Sequence, residues 1–239
     1  EFAKSATVLM LARHLSGLRE PPRSLRDLVV PGLIVGVPFL LVLKQPDLGS
    51  ALVFVGILFA MLYWAGARPL LLFLLASPGF SLLLGFSTLG WTLWMIALFA
   101  ILAFYRPYIL DSVVVYLANV VMGAIAIPIW SRLHPYQQNR LLTFLNPEVD
   151  PRATGWHIIQ SKIAIGSGGF LGKGFTEGSQ KRLAFLPAQH TDFIFSVVGE
   201  ELGFVAIVAA LGLFLLLLLM LIRIARRSPD PFGSMMVFG

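Results

Sequence analysis

The chain has 239 residues, of which 57% are hydrophobic and 13% are charged, with a formal net charge of +6 and no cysteine. This apolar content exceeds what a soluble core needs, and the few charges cannot solvate the remainder, so an ordinary soluble domain is excluded and a polytopic membrane protein is indicated. The absence of cysteine excludes disulfides and thiolate metal sites.

The apolar runs predict an all-α fold, a polytopic transmembrane helical bundle that forms one membrane domain over residues 1–239. Residues 2–15 are too few for a full crossing, which needs about 20 residues, so we expect a half helix there. Both ends are therefore expected to be cut from a longer protein. The further crossings are predicted at residues 28–43, 48–66, 69–90, 91–105, 108–130 and 192–222.

Three crossings differ from a regular helix of ordinary length. Pro31 and Pro38 are expected to interrupt the crossing at residues 28–43, because proline lacks the N–H that a helix needs. The crossing at residues 91–105 is predicted to be short or tilted. The crossing at residues 192–222 would be about 45 Å long as one helix, which exceeds a hydrocarbon layer of about 30 Å.

Positive charges orient this bundle in the membrane. When the crossings are counted, residues 13–27, Arg68, Arg106 and the basic end that begins at Arg223 all fall on one side, which the positive-inside rule assigns to the cytoplasm. Residues 131–191 then form a large extracytoplasmic loop. Lysine and arginine lie between apolar runs, without a dense basic stretch carrying stacking aromatics, so nucleic-acid binding is not predicted.

The extracytoplasmic loop is basic and rich in glycine. Its excess of lysine and arginine suits an anionic ligand such as a lipid pyrophosphate, although attraction to anionic lipid head groups explains it equally well. Residues 156–165 are predicted to form a short amphipathic helix. The glycine run at residues 166–174 is not a phosphate loop, because Ser167 and Gly174 occupy positions where that motif needs glycine and serine or threonine. We interpret it as a plain loop, or as backbone that turns or approaches a ligand closely.

Asp192 is the first candidate catalytic residue, because an aspartate at the end of a membrane helix is costly to desolvate and is seldom kept without a function. Partial desolvation would raise its pKa and allow it to act as a general base, whereas the simpler alternative is a helix N-cap. Asp192, Ser196 and Glu200 follow at helical spacing, but Glu200 would lie about 12 Å along the axis, too distant to act beside Asp192. His190 and Asp192 lack a third metal ligand at a recognisable spacing, so no protein-bound metal site is predicted.

Four stretches closely resemble the SEDS family, whose members are RodA, FtsW and SpoVE. They are residues 44–49, 155–169, 185–195 with the run His190-Thr191-Asp192-Phe193, and 199–203. Residues 1–4 are similar to the tail of the family's Pro-Ser-Glu-x-x-Lys motif, and Gln160-Ser161-Lys162 is closer to the RodA branch than to FtsW.

The resemblance implies a peptidoglycan glycosyltransferase at the outer face of the bacterial inner membrane. Such an enzyme would join lipid II to an undecaprenyl-linked glycan strand, release undecaprenyl pyrophosphate and work beside a class B penicillin-binding protein in elongation or division. It implies that Asp192 is catalytic. The residues it implies for substrate binding are Glu1, Lys4, Lys44 and Asp47, with Gln160, Lys162 and Lys173 as weaker candidates.

Two alternatives and one cofactor question stay open at this point. A polar intramembrane cavity would also suit a lipid II flippase, and a non-catalytic scaffold for a penicillin-binding protein would need none of these side chains. Because the activated donor supplies the energy, no ATP site is needed. A divalent cation, Mg²⁺ or Mn²⁺, carried in with the pyrophosphate is the open alternative to a reaction without a cofactor.

Overall fold

The computed structural model describes residues 2–45, 47–105, 108–133, 138, 142, 156–174 and 193–239. Throughout these residues the regular structure is helical and no strand occurs. Four helices in this part of the chain are long and apolar enough to cross a membrane. The predicted all-α membrane fold is therefore confirmed.

Most helices follow the predicted crossings closely, and a 3-10 turn at Leu25–Leu28 precedes the second of them. The crossing predicted at residues 69–90 ends at Leu84, and this helix and the one before it are shorter than the four helices long enough to cross. The helices form two compact units, one of Glu1–Arg132 with Leu221–Gly239 and one of Leu133–Met220. In chain order the helices are α1 (Phe2–Ser16), α2 (Val29–Lys44), α3 (Leu48–Trp64), α4 (Pro69–Leu84), α5 (Thr88–Tyr105), α6 (Ile109–Arg132), α7 (Trp156–Ser167), α8 (Ile194–Arg227) and α9 (Pro231–Phe238).

Two expectations about the crossings in the first unit are wrong. Helix α2 continues through both prolines, because Pro31 lies in its first turn, where no N–H is needed, and Pro38 is accommodated inside the helix. Helix α5 begins at Thr88 rather than at Trp91, so it has 18 residues and is among the helices long enough to cross.

Helices α4, α5 and α6 are joined by buried polar groups. The Asn119 amide nitrogen donates to Ser77 Oγ at 2.8 Å, and Trp94 Nε1 donates to Asn119 Oδ1 at 3.1 Å. The Trp91 indole packs directly on Gly123, where an added Cβ would lie only 2.0 Å from Nε1. Interhelical hydrogen bonds and small residues are what membrane helices use to associate, since lipid gives no hydrophobic drive between them.

Helix α9 packs against α1 and α3 at one end of the first unit. Trp64 stacks on Phe238 with ring centroids 4.2 Å apart, and its Nε1 donates to Ser234 Oγ at 2.8 Å. Gly66 also lies next to Pro21. The loops that follow α1, α3 and α8 therefore meet at one end, as the shared positive charge of these loops predicts.

Candidate functional site

Helix α8 is broken at Gly203, inside the stretch that we expected to be one continuous helix. Gly203 has φ 77° and ψ −173°, a conformation that only glycine adopts readily. The break separates an upper segment, residues 194–202, from a lower segment, residues 204–227. The lower segment is about 36 Å long, which suits a hydrocarbon layer of about 30 Å. The predicted single helix of about 45 Å is therefore wrong.

Residues 168–174, which we call the glycine loop, fill the break with their main chain. In an unbroken helix the N–H groups of Phe204 and Val205 would donate to the carbonyls of Glu200 and Glu201. Here the glycine loop satisfies all four groups instead, as backbone in an apolar layer requires. The bonds are Lys173 N to Glu200 O (3.0 Å), Gly174 N to Glu201 O (3.0 Å), Phe204 N to Gly169 O (2.9 Å) and Val205 N to Phe170 O (3.3 Å).

The close approach explains the glycine content of the loop. A Cβ on Gly168 would lie 1.9 Å from the carbonyl oxygen of Gly199, and a Cβ on Gly172 would lie 2.1 Å from that of Glu201. The run makes a close backbone approach, as one of our interpretations expects, but its partner is not a ligand. The glycine loop approaches the protein's own helix.

Polar side chains lie on and beside the upper segment of α8, and we call four of them the polar cluster: Ser161, Lys173, Ser196 and Glu200. Lys173 Nζ lies 3.0 Å from Glu200 Oε1, and Glu200 is only 1% exposed. Ser161 Oγ on α7 and Ser196 Oγ on α8 are 2.5 Å apart in a hydrogen bond. Gln160 is also buried.

The ion pair links the glycine loop to the upper segment a second time. Lys173 Nζ donates both to Glu200 Oε1 and to Ser167 Oγ, the latter at 2.9 Å, and its side chain is 34% exposed. Main chain and side chain of Lys173 therefore both bind Glu200. A carboxylate this deeply buried needs such a cation, because an uncompensated charge there would be very costly.

The predicted site residues are distributed over both units. Lys173 belongs to the polar cluster and Gln160 is buried on α7, whereas Lys162 is exposed on α7. In the first unit, Lys44 ends α2 and is exposed, and the Asp47 carboxylate caps α3 by accepting the Ser50 N–H at 3.2 Å.

The three other predicted site residues are Lys4, Asp192 and Glu1. Lys4 is half-buried in the first turn of α1. Asp192 and Glu1 lie outside the described residues, and Asp192 directly precedes Phe193, with which the description of α8 resumes. Within the described ranges no three His, Cys, Asp or Glu side chains are placed to share a metal ion.

Glu200 is the residue that our reasoning from sequence left without a role. From the sequence we considered only its distance from Asp192, which excludes it as a second catalytic carboxylate. The signal that was available is its position inside an apolar helix, where an ionisable group calls for a named partner. The partner could not be found by spacing, because Lys173 lies 27 residues earlier in the chain.

Replacing Lys173 with methionine is expected to destabilise the protein by about 3 kcal/mol, because Glu200 would stay buried without this cation. The double variant Lys173→Met with Glu200→Gln should recover part of that loss, since both charges are then removed. Thermal unfolding in detergent measures both effects. Lys162→Met, which removes the same charge at an exposed position of α7, is the control. Equal melting temperatures for Lys173→Met and Lys162→Met would show that the pair contributes nothing.

Comparison with known proteins gives matches along the whole chain. A family model described as a cell cycle protein, FTSW_RODA_SPOVE, matches residues 1–89 and 80–239. The chain is 39% identical to the peptidoglycan glycosyltransferase MrdB of Escherichia coli K12, over 100% of this chain and 53% of MrdB. It is 36% identical to the peptidoglycan glycosyltransferase RodA of Treponema pallidum, over 100% of this chain and 62% of RodA.

A relative named FtsW and a solved structure match as well. The chain is 38% identical to a probable peptidoglycan glycosyltransferase FtsW of Trichlorobacter lovleyi, over 100% of this chain and 51% of that protein. The solved chain comes from work on the structural coordination of polymerization and crosslinking by a peptidoglycan synthase complex. It matches with a TM-score of 0.58 and 32% identity, over 98% of this chain and 52% of that one.

The chain thus spans between half and two thirds of the length of these relatives. The family model nevertheless matches it from its first residue to its last. The motifs that resemble SEDS proteins lie within those matches, at residues 44–49, 155–169, 185–195 and 199–203. The chain therefore belongs to the SEDS family of RodA, FtsW and SpoVE.

Proposed function

We propose that the full-length protein is a peptidoglycan glycosyltransferase that joins lipid II into glycan strands at the outer face of the bacterial inner membrane. The observation that carries this proposal is the similarity of the entire chain to relatives named as peptidoglycan glycosyltransferases. The broken helix adds support, since the glycine loop fixes the upper segment of α8 directly after His190-Thr191-Asp192.

In the proposed reaction, Asp192 accepts the proton of the 4-hydroxyl group on the GlcNAc of an acceptor lipid II. That oxygen forms a bond to the anomeric carbon of the donor MurNAc, the bond from this carbon to the pyrophosphate oxygen breaks, and undecaprenyl pyrophosphate leaves. A general base placed in this way contributes about 10²- to 10⁴-fold to a rate. The donor supplies the energy, so the step needs no nucleotide.

The developing charge on the leaving pyrophosphate calls for cations near it. Lys4 and Lys44, with Glu1, Asp47, Gln160, Lys162 and Lys173, are the substrate-binding residues that we propose. Of these, Lys44 and Lys162 are exposed cations able to meet an anionic head group. A divalent cation, Mg²⁺ or Mn²⁺, would enter with the pyrophosphate as part of the substrate.

The environment of Glu200 favours inversion at the anomeric carbon. A retaining scheme needs a second carboxylate within about 5.5 Å of the first, free to attack the sugar. Glu200, the nearest described carboxylate that follows Asp192 in sequence, is buried and held by Lys173. We therefore propose direct displacement with one catalytic carboxylate.

We also propose a class B penicillin-binding protein as the partner that crosslinks the new strands. The support is the likeness to a chain from a peptidoglycan synthase complex. The lower segment of α8 exposes its apolar side chains along its length. These side chains form a continuous apolar surface on which lipid or a membrane helix of the partner can pack.

The decisive experiment gives labelled lipid II to the full-length protein, purified with its penicillin-binding partner whose transpeptidase is blocked. Glycan strands that lengthen with time on a gel are the expected result. A parallel assay measures lipid II translocation in vesicles. Translocation without strand formation would replace the polymerase with the flippase, and neither activity would favour the scaffold.

A further inference from the structure

A second polar site lies in the first unit, at the end where the arginine-bearing loops meet. A cavity of about 290 Å³, which we call the inner cavity, is enclosed by the ends of α4, α5 and α6 and by the segment before α2. It adjoins a wider opening of about 750 Å³ that shares Arg23, Tyr108 and Asp111 with it. The positive-inside rule assigns this end to the cytoplasmic side of the membrane.

The charges that line the inner cavity favour an anion. Arg23 and Arg68 contribute two guanidinium groups against the single carboxylate of Asp111. Asp111 is 7% exposed, lies in the first turn of α6 and accepts the Leu25 N–H at 3.3 Å. Because the helix dipole and this N–H already balance part of its charge, Asp111 offsets the arginines only in part.

Arg68 is the stronger of the two cations for a ligand. Among the residues that the structure describes, its guanidinium makes no hydrogen bond and no ion pair. Arg68 also directly precedes α4, so it lies at the positive end of that helix dipole, which favours negative charge. Arg23 is only lightly engaged, by an exposed pair with Glu20 at 3.4 Å.

The main chain around Arg23 is fixed. Its N–H donates to Asp27 Oδ2 at 2.9 Å, and the Ser24 N–H donates to the same oxygen at 3.0 Å. This capping box starts the turn that leads into α2. The guanidinium of Arg23 is therefore carried on an ordered backbone at the cavity wall.

The rest of the lining is amphipathic. Tyr105 and Tyr108 stand on one side, and the two residues between them lie outside the described residues and are not part of the site. Leu70, Leu71 and Leu74, in the first two turns of α4, form an apolar wall. Tyrosine suits the level of the lipid head groups, and leucine suits the acyl chains below them.

We propose that the inner cavity binds one anionic phospholipid of the cytoplasmic leaflet, with its phosphate between Arg23 and Arg68 and an acyl chain along the leucines of α4. Basic pockets between membrane helices on the cytoplasmic side have the chemistry to hold such head groups. A free phosphate would use the arginines and leave the apolar wall against water. A lipid covers both.

The test measures lipid binding by the full-length protein in mild detergent. Phosphatidylglycerol and phosphatidylcholine with the same acyl chains are titrated separately, and native mass spectrometry counts the bound lipid. Wild type should hold one phosphatidylglycerol in preference to phosphatidylcholine. Arg68→Gln should weaken phosphatidylglycerol binding about five-fold, and adding Arg23→Gln should weaken it further.

Arg226→Gln is the matched control, because it removes the same charge at an exposed position near the end of α8 and outside both cavities. It should bind phosphatidylglycerol as wild type does. The melting temperature without lipid checks that each variant is folded. If Arg68→Gln does not fold, Arg68→Lys, which keeps the charge, is compared with Arg23→Gln, and only the latter should lose lipid.

Three results would overturn the proposal. They are equal binding of the two lipids by wild type, equal phosphatidylglycerol binding by Arg68→Gln and Arg226→Gln, and displacement of the bound lipid by inorganic phosphate at millimolar concentration. The last result would assign the cavity to a free anion. None of these outcomes depends on glycan-strand formation.

Discussion

Replacing Asp192 with asparagine is expected to reduce glycan-strand formation at least about 10²-fold, because the amide cannot accept the proton of the attacking hydroxyl. The two side chains have nearly the same shape, so lipid II binding should change little. The measurement is strand formation from labelled lipid II by the full-length protein with its penicillin-binding partner. The loss should appear in kcat, with KM nearly unchanged.

Asp230→Asn is the control for this experiment. Asp230 caps α9 by accepting the N–H groups of Phe232 and Gly233, and asparagine caps a helix about as well as aspartate does. This variant should polymerise as wild type does. If Asp192→Asn, folded and bound to its partner, polymerised at the rate of Asp230→Asn, the catalytic assignment would be wrong.

Replacing Gly203 with alanine is expected to destabilise the second unit by about 3 kcal/mol or more, the range for a forced backbone and a main-chain clash. A Cβ at this position would lie 2.3 Å from the Gly172 nitrogen, and φ of 77° with ψ of −173° is strained for any side chain. The glycine loop would have to leave the break. Thermal unfolding in detergent, at one fixed scan rate, measures the change.

Gly212 provides the matched control in the lower segment of the same helix. A Cβ there meets nothing within 4 Å, and alanine is the better helix former by up to about 1 kcal/mol. Gly212→Ala should therefore melt at the temperature of wild type or above it. Identical melting of Gly203→Ala and Gly212→Ala would contradict the broken helix and the inserted loop.

The sequence was sufficient for the fold class and for most helix positions. Apolar runs between basic loops predict membrane crossings because a helix must bury its own backbone polar groups in lipid, and that rule is local. The short helix α7 was also predictable from its amphipathic pattern, at residues 156–165 against Trp156–Ser167 in the structure. The family resemblance is confirmed by the match along the whole chain.

The break at Gly203 could not be predicted, because its cause lies elsewhere in the chain. A single glycine in an apolar helix is tolerated at a cost of about 1 kcal/mol, so the pattern alone favours continuity. The helix can break there because residues 168–174, which lie well before it in the chain, form the hydrogen bonds that the break removes. The pairing of Lys173 with Glu200 escapes a local rule for the same reason. The role of Asp192 stays a prediction, as it lies outside the described residues.

The four hydrogen bonds between the glycine loop and α8 join main-chain N–H and C=O groups, which every residue except proline possesses in full. Side chains on the loop are thus exchangeable where they point outward, as Leu171 does at 83% exposure. Length is another matter, because one residue inserted or deleted between Gly168 and Gly174 would move each donor past its acceptor. The loop is therefore constrained by its residue count as well as by its glycines and by Lys173. An engineered loop could therefore change its outward-facing residues but could not change its length.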